Sequence, residues 1–282
     1  MSETINKTSL TINNTHGDAL YTDLYNIDSE TKLPLVIFCH GFKGFKDWGS
    51  FPYVFERLAV AGNFITAFNF SYNGTGATPE DMMDFARLEL FAKNTFSREL
   101  DDLGSVLDYL QQNQNGYNYD FDNLTLVGHS RGGGIAILKT AEDSRVKRLI
   151  TLSSVSNFDR YSERHKKEWK ERGFFEVMNT RTKQRMRLNY SLLEDLEKNN
   201  DRLDIETAAE KIDIPWLIIH GTEDLAVDYS NAENLFNTGS PEKRELVLLD
   251  NTGHTFGAAH PFEETTPALE NVLTLIIDFL KK

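Results

Sequence analysis

Residues 124–138 read Leu-Thr-Leu-Val-Gly-His-Ser-Arg-Gly-Gly-Gly-Ile-Ala-Ile-Leu. The first four form a short apolar run typical of a buried strand, and the helical pattern that follows spans residues 135–141. Between them stands Gly-x-Ser-x-Gly, in which Gly128 and Gly132 leave room for a tight turn around Ser130. The stretch therefore predicts a strand, a sharp turn that exposes the Ser130 hydroxyl, and a helix. A glycine-rich turn whose serine only caps the helix is the alternative.

The rest of the chain alternates predicted strands and helices. Short apolar runs typical of strands buried on both faces occupy residues 35–39, 64–70, 124–127, 149–152, 216–219 and 246–249. Amphipathic helical patterns occupy residues 54–61, 96–110, 135–141, 231–236 and 267–280. Two β-prone runs, 10–13 and 19–27, flank a turn at 15–18 and predict an antiparallel hairpin at a sheet edge. We predict an α/β fold with a doubly wound, mostly parallel sheet.

One region interrupts this alternation. Residues 157–212, called the inserted segment below, contain no strong buried strand, and surface helices are predicted at 159–172 and 192–199. We expect this segment to form a cap or lid over the carboxyl edge of the sheet. The core is then made of residues 1–156 and 213–282.

Composition excludes several classes of function. The 282 residues include 30 Lys or Arg and 43 Asp or Glu, a net charge of −13 that repels nucleic acids and anionic membranes. The single cysteine, Cys39, cannot form an internal disulfide. The first 14 residues lack the basic start and the apolar run of a signal peptide, and no run of 18 apolar residues occurs in the sequence. We therefore expect a cytoplasmic protein with no nucleic-acid or membrane partner, either a monomer or a homodimer.

An acid and a histidine follow the two last predicted strands. Asp224 lies in His-Gly-Thr-Glu-Asp after the run at 216–219, and His254 lies in Asn-Thr-Gly-His after the run at 246–249. A serine hydroxyl needs a neighbouring base, and the base needs an orienting acid. The chain order Ser130, Asp224, His254 is the one expected when a Gly-x-Ser-x-Gly turn is catalytic.

These motifs resemble the α/β-hydrolase family from about residue 10 to residue 280. The matching stretches are His40-Gly41-Phe42, Gly128–Gly132, His220–Asp224 and Gly253-His254. The resemblance implies that Ser130 is the nucleophile, His254 the base and Asp224 the acid that orients it. It also implies that the backbone N–H groups of Phe42 and Arg131 form the oxyanion hole. The chain is most similar to feruloyl-esterase-like and dienelactone-hydrolase-like serine hydrolases.

Other residues compete for these roles. His260 could replace His254 as the base, and Asp228 or Asp250 could replace Asp224 as the acid. Asp228 also suits a helix cap. Cys39 lies in an apolar run and reads as a core residue rather than a nucleophile.

The substrate pocket is predicted from aromatic residues. Trp169, Phe174 and Phe175 in the inserted segment, and Tyr72 after the run at 64–70, could line it or serve only structural roles. Residues 160–187 contain ten Lys or Arg and four Glu, which form either a solvated surface or a substrate-steering field. The sequence contains no metal-ligand spacing and no phosphate loop, so no metal and no cofactor is expected.

The leading hypothesis is a serine hydrolase that cleaves small-molecule carboxylic esters with small or aromatic acyl groups through an acyl-enzyme. A second hypothesis is a serine peptidase of the aminopeptidase or acyl-peptidase type. An aminopeptidase would need an acidic group for the substrate amine, and Glu80, Asp81 and Asp84 are the candidates. A third is a non-catalytic binding protein on the same scaffold.

Overall fold

The computed structural model describes residues 4–76 and 84–282. Its strands in this range are β1 (Ile5–Asn13), β2 (Ala19–Ile27), β3 (Leu33–Cys39), β4 (Phe64–Phe68), β5 (Tyr119–His129), β6 (Arg148–Leu152), β7 (Phe174–Asn179), β8 (Gln184–Asn189), β9 (Trp216–Gly221) and β10 (Arg244–Leu249). Its helices there are α1 (Phe51–Val60), α2 (Leu88–Lys93), α3 (Phe96–Asn113), α4 (Arg131–Glu142), α5 (Glu163–Arg172), α6 (Ser191–Lys198), α7 (Asn200–Leu203), α8 (Ile205–Lys211), α9 (Ser230–Asn237) and α10 (Pro267–Leu280).

Eight strands form one sheet in the order β1-β2-β4-β3-β5-β6-β9-β10. In this sheet, β4, β3, β5, β6, β9 and β10 run parallel to one another, whereas β2 is antiparallel to both of its neighbours. The hairpin of β1 and β2 lies at the edge of the sheet, as the sequence predicts. The α/β fold class with a mostly parallel sheet is confirmed.

Helices cover both faces of the sheet. On one face, α1 and α10 pack against β3, β4 and β9 through Phe55, Leu273 and Ile276. On the other face, α3 and α4 pack through Leu103, Val106 and Ile135. Both faces of the central strands are thus buried, which explains why these strands appear in the sequence as unbroken apolar runs rather than alternating ones.

The inserted segment connects β6 to β9, which are adjacent parallel strands. It holds α5, α6, α7 and α8 and also a hairpin, β7 and β8, that forms a separate two-stranded sheet. We did not predict this hairpin, because its six-residue strands are only partly buried and do not form the unbroken apolar runs of the main sheet. The turn between them contains Lys183 in a left-handed conformation (φ 59°).

Helix α4 packs almost directly on the end of β3. A Cβ added to Gly132 would lie 2.4 Å from the carbonyl oxygens of both Cys39 and His40. Only glycine therefore allows this approach of two backbones. The contact fixes the start of α4 against the carboxyl end of β3.

His40, at the end of β3, is held in its neutral form. It is buried, its Nδ1 lies 2.9 Å from the carbonyl oxygen of Gly41, and its Nε2 accepts the N–H of Phe70 at 3.2 Å. Burial lowers the pKa of His40 to about 4, and the Gly41 carbonyl offsets only part of that effect. A charged imidazole would lose the bond from Phe70, because Nε2 would then carry a proton.

Gly132→Ala is expected to lower the free energy of unfolding by about 3 kcal/mol, because the two backbones must separate to admit the methyl group. The matched control is Gly104→Ala within α3, where the new Cβ would meet only the flexible end of Lys139 at 3.2 Å. Alanine there should be neutral or stabilise by up to about 1 kcal/mol. Urea unfolding of both variants measures the difference, and equal losses would contradict the packing argument.

Stability should fall as the pH drops from about 6.5 towards 4, because the unfolded state takes up the His40 proton before the folded state does. The contribution of His40 approaches about 1.4 kcal/mol per pH unit within that window. Unfolding free energies measured at several pH values for the wild type and for His40→Gln give this contribution as a difference in slope. Substitution of the exposed His16 is the control, and identical slopes for the wild type and His40→Gln would refute the prediction.

Candidate active site

Ser130 occupies the tight turn between β5 and α4. Its backbone angles are φ 57° and ψ −121°, a strained conformation for a residue other than glycine. The turn is held by the Ser130 N–H, which donates to the carbonyl of Leu152 at 2.9 Å, and by the Ser130 carbonyl, which accepts from Gly133 at 3.0 Å. The strand, turn and helix predicted from the sequence are all present.

Asp224 and His254 are brought together by the neighbouring strands β9 and β10. Nδ1 of His254 lies 2.7 Å from Oδ2 of Asp224. Oδ1 of the same carboxylate accepts the N–H groups of Ala226 and Val227 at 2.8 and 2.9 Å. Both carboxylate oxygens are therefore satisfied, and the Asp224 side chain is fully buried.

A second histidine shares this carboxylate. Nε2 of His220 lies 3.2 Å from Oδ2 of Asp224 and 2.9 Å from the carbonyl of Val227. Burial alone would raise the pKa of Asp224, but hydrogen bonds from His220, His254 and the Val227 N–H outweigh it and hold that pKa well below the ordinary range. Asp224 thus stays ionised beside His254.

His129 supports His254 from the other side. Its Nε2 lies 3.1 Å from the His254 carbonyl oxygen, and the two rings pack with centroids 4.8 Å apart. Burial, with a contribution from His254, lowers the pKa of His129 to about 3. His129 is therefore neutral. Since Asp224 occupies Nδ1 of His254, Nε2 is the ring nitrogen left for proton exchange.

The backbone N–H groups of Phe42 and Arg131 lie beside Ser130 and donate to no acceptor among the described residues. The loop that carries Phe42 lies directly against the serine, since a Cβ on Gly41 would come within 2.9 Å of Ser130 Cβ. Arg131 is the first residue of α4, so its N–H faces outward from the positive end of the helix. These donors suit a developing oxyanion.

The side chains of Phe42 and Arg131 belong to one stack of aromatic rings and a guanidinium group. The Arg131 guanidinium lies over the rings of Phe42 and Phe96, at 4.4 and 4.8 Å. Phe96 in turn stacks on Phe158 of the inserted segment at 4.1 Å. Arg131 also pairs with the buried Glu99 at 3.3 Å, and burial raises the pKa of Glu99 against the opposing effect of Arg131.

Ser130 and His254 line two cavities together. One has a volume of about 340 Å³ and the other of about 280 Å³. The larger is also lined by Phe42, Lys43, Phe96, Arg131, Val155, Phe158, Arg160, Tyr161, Ala226 and Val227. The smaller is also lined by Gly41, Phe42, Lys43, Gly44, Trp48, Phe51, His129, Asn179, Thr180, Arg181, Thr255 and His260.

The four aromatic residues expected to bind substrate lie elsewhere: none lines either cavity. Trp169 is only 1% exposed and packs against Tyr161 and Phe175 inside the inserted segment. Phe174 lies under Arg172 and Arg187. The Tyr72 ring lies under Arg98 at 4.0 Å. Each aromatic ring finds a packing partner away from Ser130, which residue type alone could not reveal.

The competing residues also have other partners. Nδ1 of His260 accepts the Gly49 N–H at 2.8 Å, and its ring stacks on Trp48. Asp228 accepts the N–H of Ser230 at the start of α9. Asp250 is exposed at the end of β10. Cys39 is fully buried, and burial strongly raises the pKa of its thiol.

Of the acidic residues considered for binding a substrate amine, Glu80 and Asp81 lie outside the described residues. Asp84 forms an ion pair with Arg181 at 3.8 Å. The residues at the cavities that the sequence did not suggest, such as Lys43 and Phe158, lie on loops after β3 and β6, whereas Arg160 belongs to the basic stretch considered for substrate steering. The sequence feature that could have identified the loop residues is their position directly after predicted strands, where ligands bind in open α/β sheets.

Solved structures share this fold along their whole length. Est1E from Butyrivibrio proteoclasticus with ferulic acid bound is 21% identical, with a TM-score of 0.74 over 96% of this chain and 98% of that one. A hydrolase from Agrobacterium vitis S4 is 19% identical, with a TM-score of 0.73 over 98% and 99%. Mouse alpha/beta hydrolase domain-containing protein 10 is 17% identical, with a TM-score of 0.72 over 97% and 98%.

Comparison of the sequence with known proteins identifies the family. No curated protein sequence matches the chain. The family model described as the alpha/beta hydrolase fold matches residues 34–183, a range that includes the Ser130 turn. In the described ranges, no helix combines the length and the apolar character needed to cross a bilayer. With its eight-stranded sheet and this match, the chain belongs to the α/β-hydrolase family.

Proposed function

We propose that this protein is a serine esterase that hydrolyses carboxylic esters with small or aromatic acyl groups. Ser130 is the nucleophile. His254 acts first as the general base and then as the general acid, and Asp224 orients the His254 imidazole. Phe42 and Arg131 supply the oxyanion hole through their backbone N–H groups. The observation that carries this proposal is the 2.7 Å contact between His254 Nδ1 and a buried, ionised Asp224, at a histidine that shares two cavities with Ser130.

In the first half of the reaction, Ser130 Oγ attacks the ester carbonyl carbon while His254 Nε2 takes the hydroxyl proton. The carbonyl oxygen becomes an oxyanion and accepts hydrogen bonds from the Phe42 and Arg131 N–H groups. Donors of this kind contribute about 3 kcal/mol each to transition-state stability in comparable sites. Collapse of the tetrahedral intermediate breaks the ester C–O bond, and the leaving alkoxide takes the proton from His254.

In the second half, His254 removes a proton from water, and the hydroxide attacks the acyl group on Ser130. The same two N–H groups bind the second oxyanion. Collapse releases the carboxylic acid and returns the proton to Ser130. Asp224 stabilises the imidazolium that forms in each half, which its low pKa permits because the carboxylate remains charged throughout.

The cavities support esters of modest size. Their volumes are near the lower end of the range for small-molecule sites, and aromatic side chains such as Phe96 and Phe158 line the larger one. The related fold of Est1E is known with ferulic acid, an aromatic acid, bound. Short-chain and aromatic esters should therefore be preferred over long-chain lipids.

The two alternatives have less support. A peptide with a free amino terminus would call for a carboxylate near Ser130, and among residues 4–76 and 84–282 no Asp or Glu lines either cavity. A purely binding role would not require the strained Ser130 backbone, which costs stability of order 1–3 kcal/mol. Labelling of Ser130 by a fluorophosphonate distinguishes a reactive serine from an inert one.

We expect Ser130→Ala and His254→Ala each to lower kcat for 4-nitrophenyl acetate by at least about 10⁴-fold, and the double variant to be no worse than either single one, because the two side chains act as one unit. Rates for 4-nitrophenyl acetate, butyrate and dodecanoate measure both activity and chain-length preference. Additive losses would contradict the paired role. Faster turnover of the dodecanoate would contradict the small acyl site.

Glu99→Gln should lower the free energy of unfolding by about 3 kcal/mol, because it leaves the Arg131 charge buried without its partner. It should also lower kcat by about tenfold, since the stack that aligns both oxyanion donors then loosens. Urea unfolding and steady-state rates measure the two effects. Adding Arg131→Met should recover part of the stability but none of the activity; recovery of neither would contradict the pairing. The exposed pair of Arg164 and Glu168 is the control, where Glu168→Gln should change neither quantity measurably.

A further inference from the structure

The two cavities at Ser130 carry positive charge in a protein that is strongly acidic overall. Lys43, Arg131 and Arg160 line the larger cavity, and Lys43 and Arg181 line the smaller. Among the residues that the structure describes, no Asp or Glu lines either cavity, although the chain has 43 acidic and 30 basic residues. A cleft lined by charges of one sign concentrates ligands of the opposite sign.

Within residues 4–76 and 84–282, two of these cations, Lys43 and Arg160, form no ion pair, whereas Arg131 and Arg181 do. Lys43 Nζ donates to the Met178 carbonyl at 3.3 Å, and an Arg160 terminal nitrogen donates to the Ala226 carbonyl at 2.7 Å. Arg131, by contrast, already pairs with Glu99. Lys43 and Arg160 therefore keep donors and charge for a ligand.

Several other basic residues of the inserted segment form ion pairs with carboxylates. Arg164 pairs with Glu168 at 2.9 Å, and Lys166 pairs with Asp159 at 2.6 Å, both on the outer surface. Arg187 pairs with Glu176 at 3.3 Å. Local ion pairs thus neutralise part of the basic excess of residues 160–187. Arg160, at the beginning of that stretch, instead reaches the cavity.

Lys43 lies next to the reacting centre rather than at the periphery. It directly follows Phe42, whose N–H group is a proposed oxyanion donor, and it lines both cavities together with Ser130. Its ammonium lies 5.6 Å from the centre of the Phe42 ring. Burial lowers the pKa of Lys43, and a bound anion would favour the charged form again.

We propose that the substrate is an ester that carries a second, anionic group, a carboxylate, bound by Lys43 and Arg160 while Ser130 attacks the ester carbonyl. This inference rests on the proposed esterase function and narrows its substrate class. The planar guanidinium of Arg160 matches a carboxylate through paired hydrogen bonds, and the Lys43 ammonium adds a point charge. Lys43 and Arg160 are then specificity-determining residues, without a part in the bond-making steps.

Two pairs of matched esters test the proposal. The first is 4-nitrophenyl hydrogen adipate and its methyl ester, which differ in charge on the acyl side; the second is 4-acetoxybenzoate and methyl 4-acetoxybenzoate, which differ on the alcohol side. The wild type should show a kcat/KM at least about tenfold higher for the anionic member of one pair, mainly through KM. The preference should shrink as the salt concentration rises.

Arg160→Gln and Lys43→Met should each bring the ratio of anionic to neutral kcat/KM close to one. Arg164→Gln is the matched control: it removes the same charge from the inserted segment at an exposed position paired with Glu168, and should leave the ratio unchanged. A wild type that prefers the neutral esters, or variants that change both members of a pair equally, would overturn the anion site.

A binding measurement separates this inference from the esterase proposal. Calorimetry of Ser130→Ala with adipic acid monoanilide and with its methyl ester compares a charged and a neutral ligand without turnover. Tighter binding of the anilide anion, lost in the Ser130→Ala/Arg160→Gln double variant, supports the anion site even if no ester is hydrolysed. Hydrolysis of esters with no preference in either assay supports the esterase alone and refutes the anion site.

Discussion

The contact of two backbones at the start of α4 is the constraint on which the rest of the site depends. Gly132 lies so close to the carbonyl oxygens at the end of β3 that no larger residue fits without displacement of one backbone. This approach places Ser130 next to the loop that carries Phe42. The strained φ of Ser130 follows from it, and hydrogen bonds to Leu152 and Gly133 hold the turn in that conformation. Local strain is thus supported by tertiary contacts.

A buried charge is the second organising feature. Asp224 is ionised within the protein because donors on strand β9 and on the loops after β9 and β10 surround its carboxylate: His220, the N–H groups of Ala226 and Val227, and His254. Such a group is costly to bury unless it is fully hydrogen-bonded. The network therefore stabilises the fold only as a whole, and it fixes the orientation of the His254 ring at the same time.

Charge also distinguishes the two sides of the inserted segment. On its outer surface, opposite charges such as Arg164 and Glu168 neutralise one another locally, and water screens what remains. At the cavity, Arg160 has no such carboxylate partner among the described residues, and it lines a site that also includes aromatic rings. The number of charged residues in the sequence does not distinguish those that form ion pairs on the surface from those that line the cavity.

The sequence by itself determined the sheet, the helices on both of its faces, the Ser130 turn and the order of the acid and the histidine. These follow from local patterns: apolar runs, glycine positions and the position of residues at strand ends. Only the tertiary structure decided that Asp224 rather than Asp228 or Asp250 contacts His254, that Trp169 and Tyr72 pack away from the cavities, and that the half-buried β7 and β8 pair. The reason is physical: partner choice and burial depend on residues distant in the chain, whereas periodicity records only the local environment.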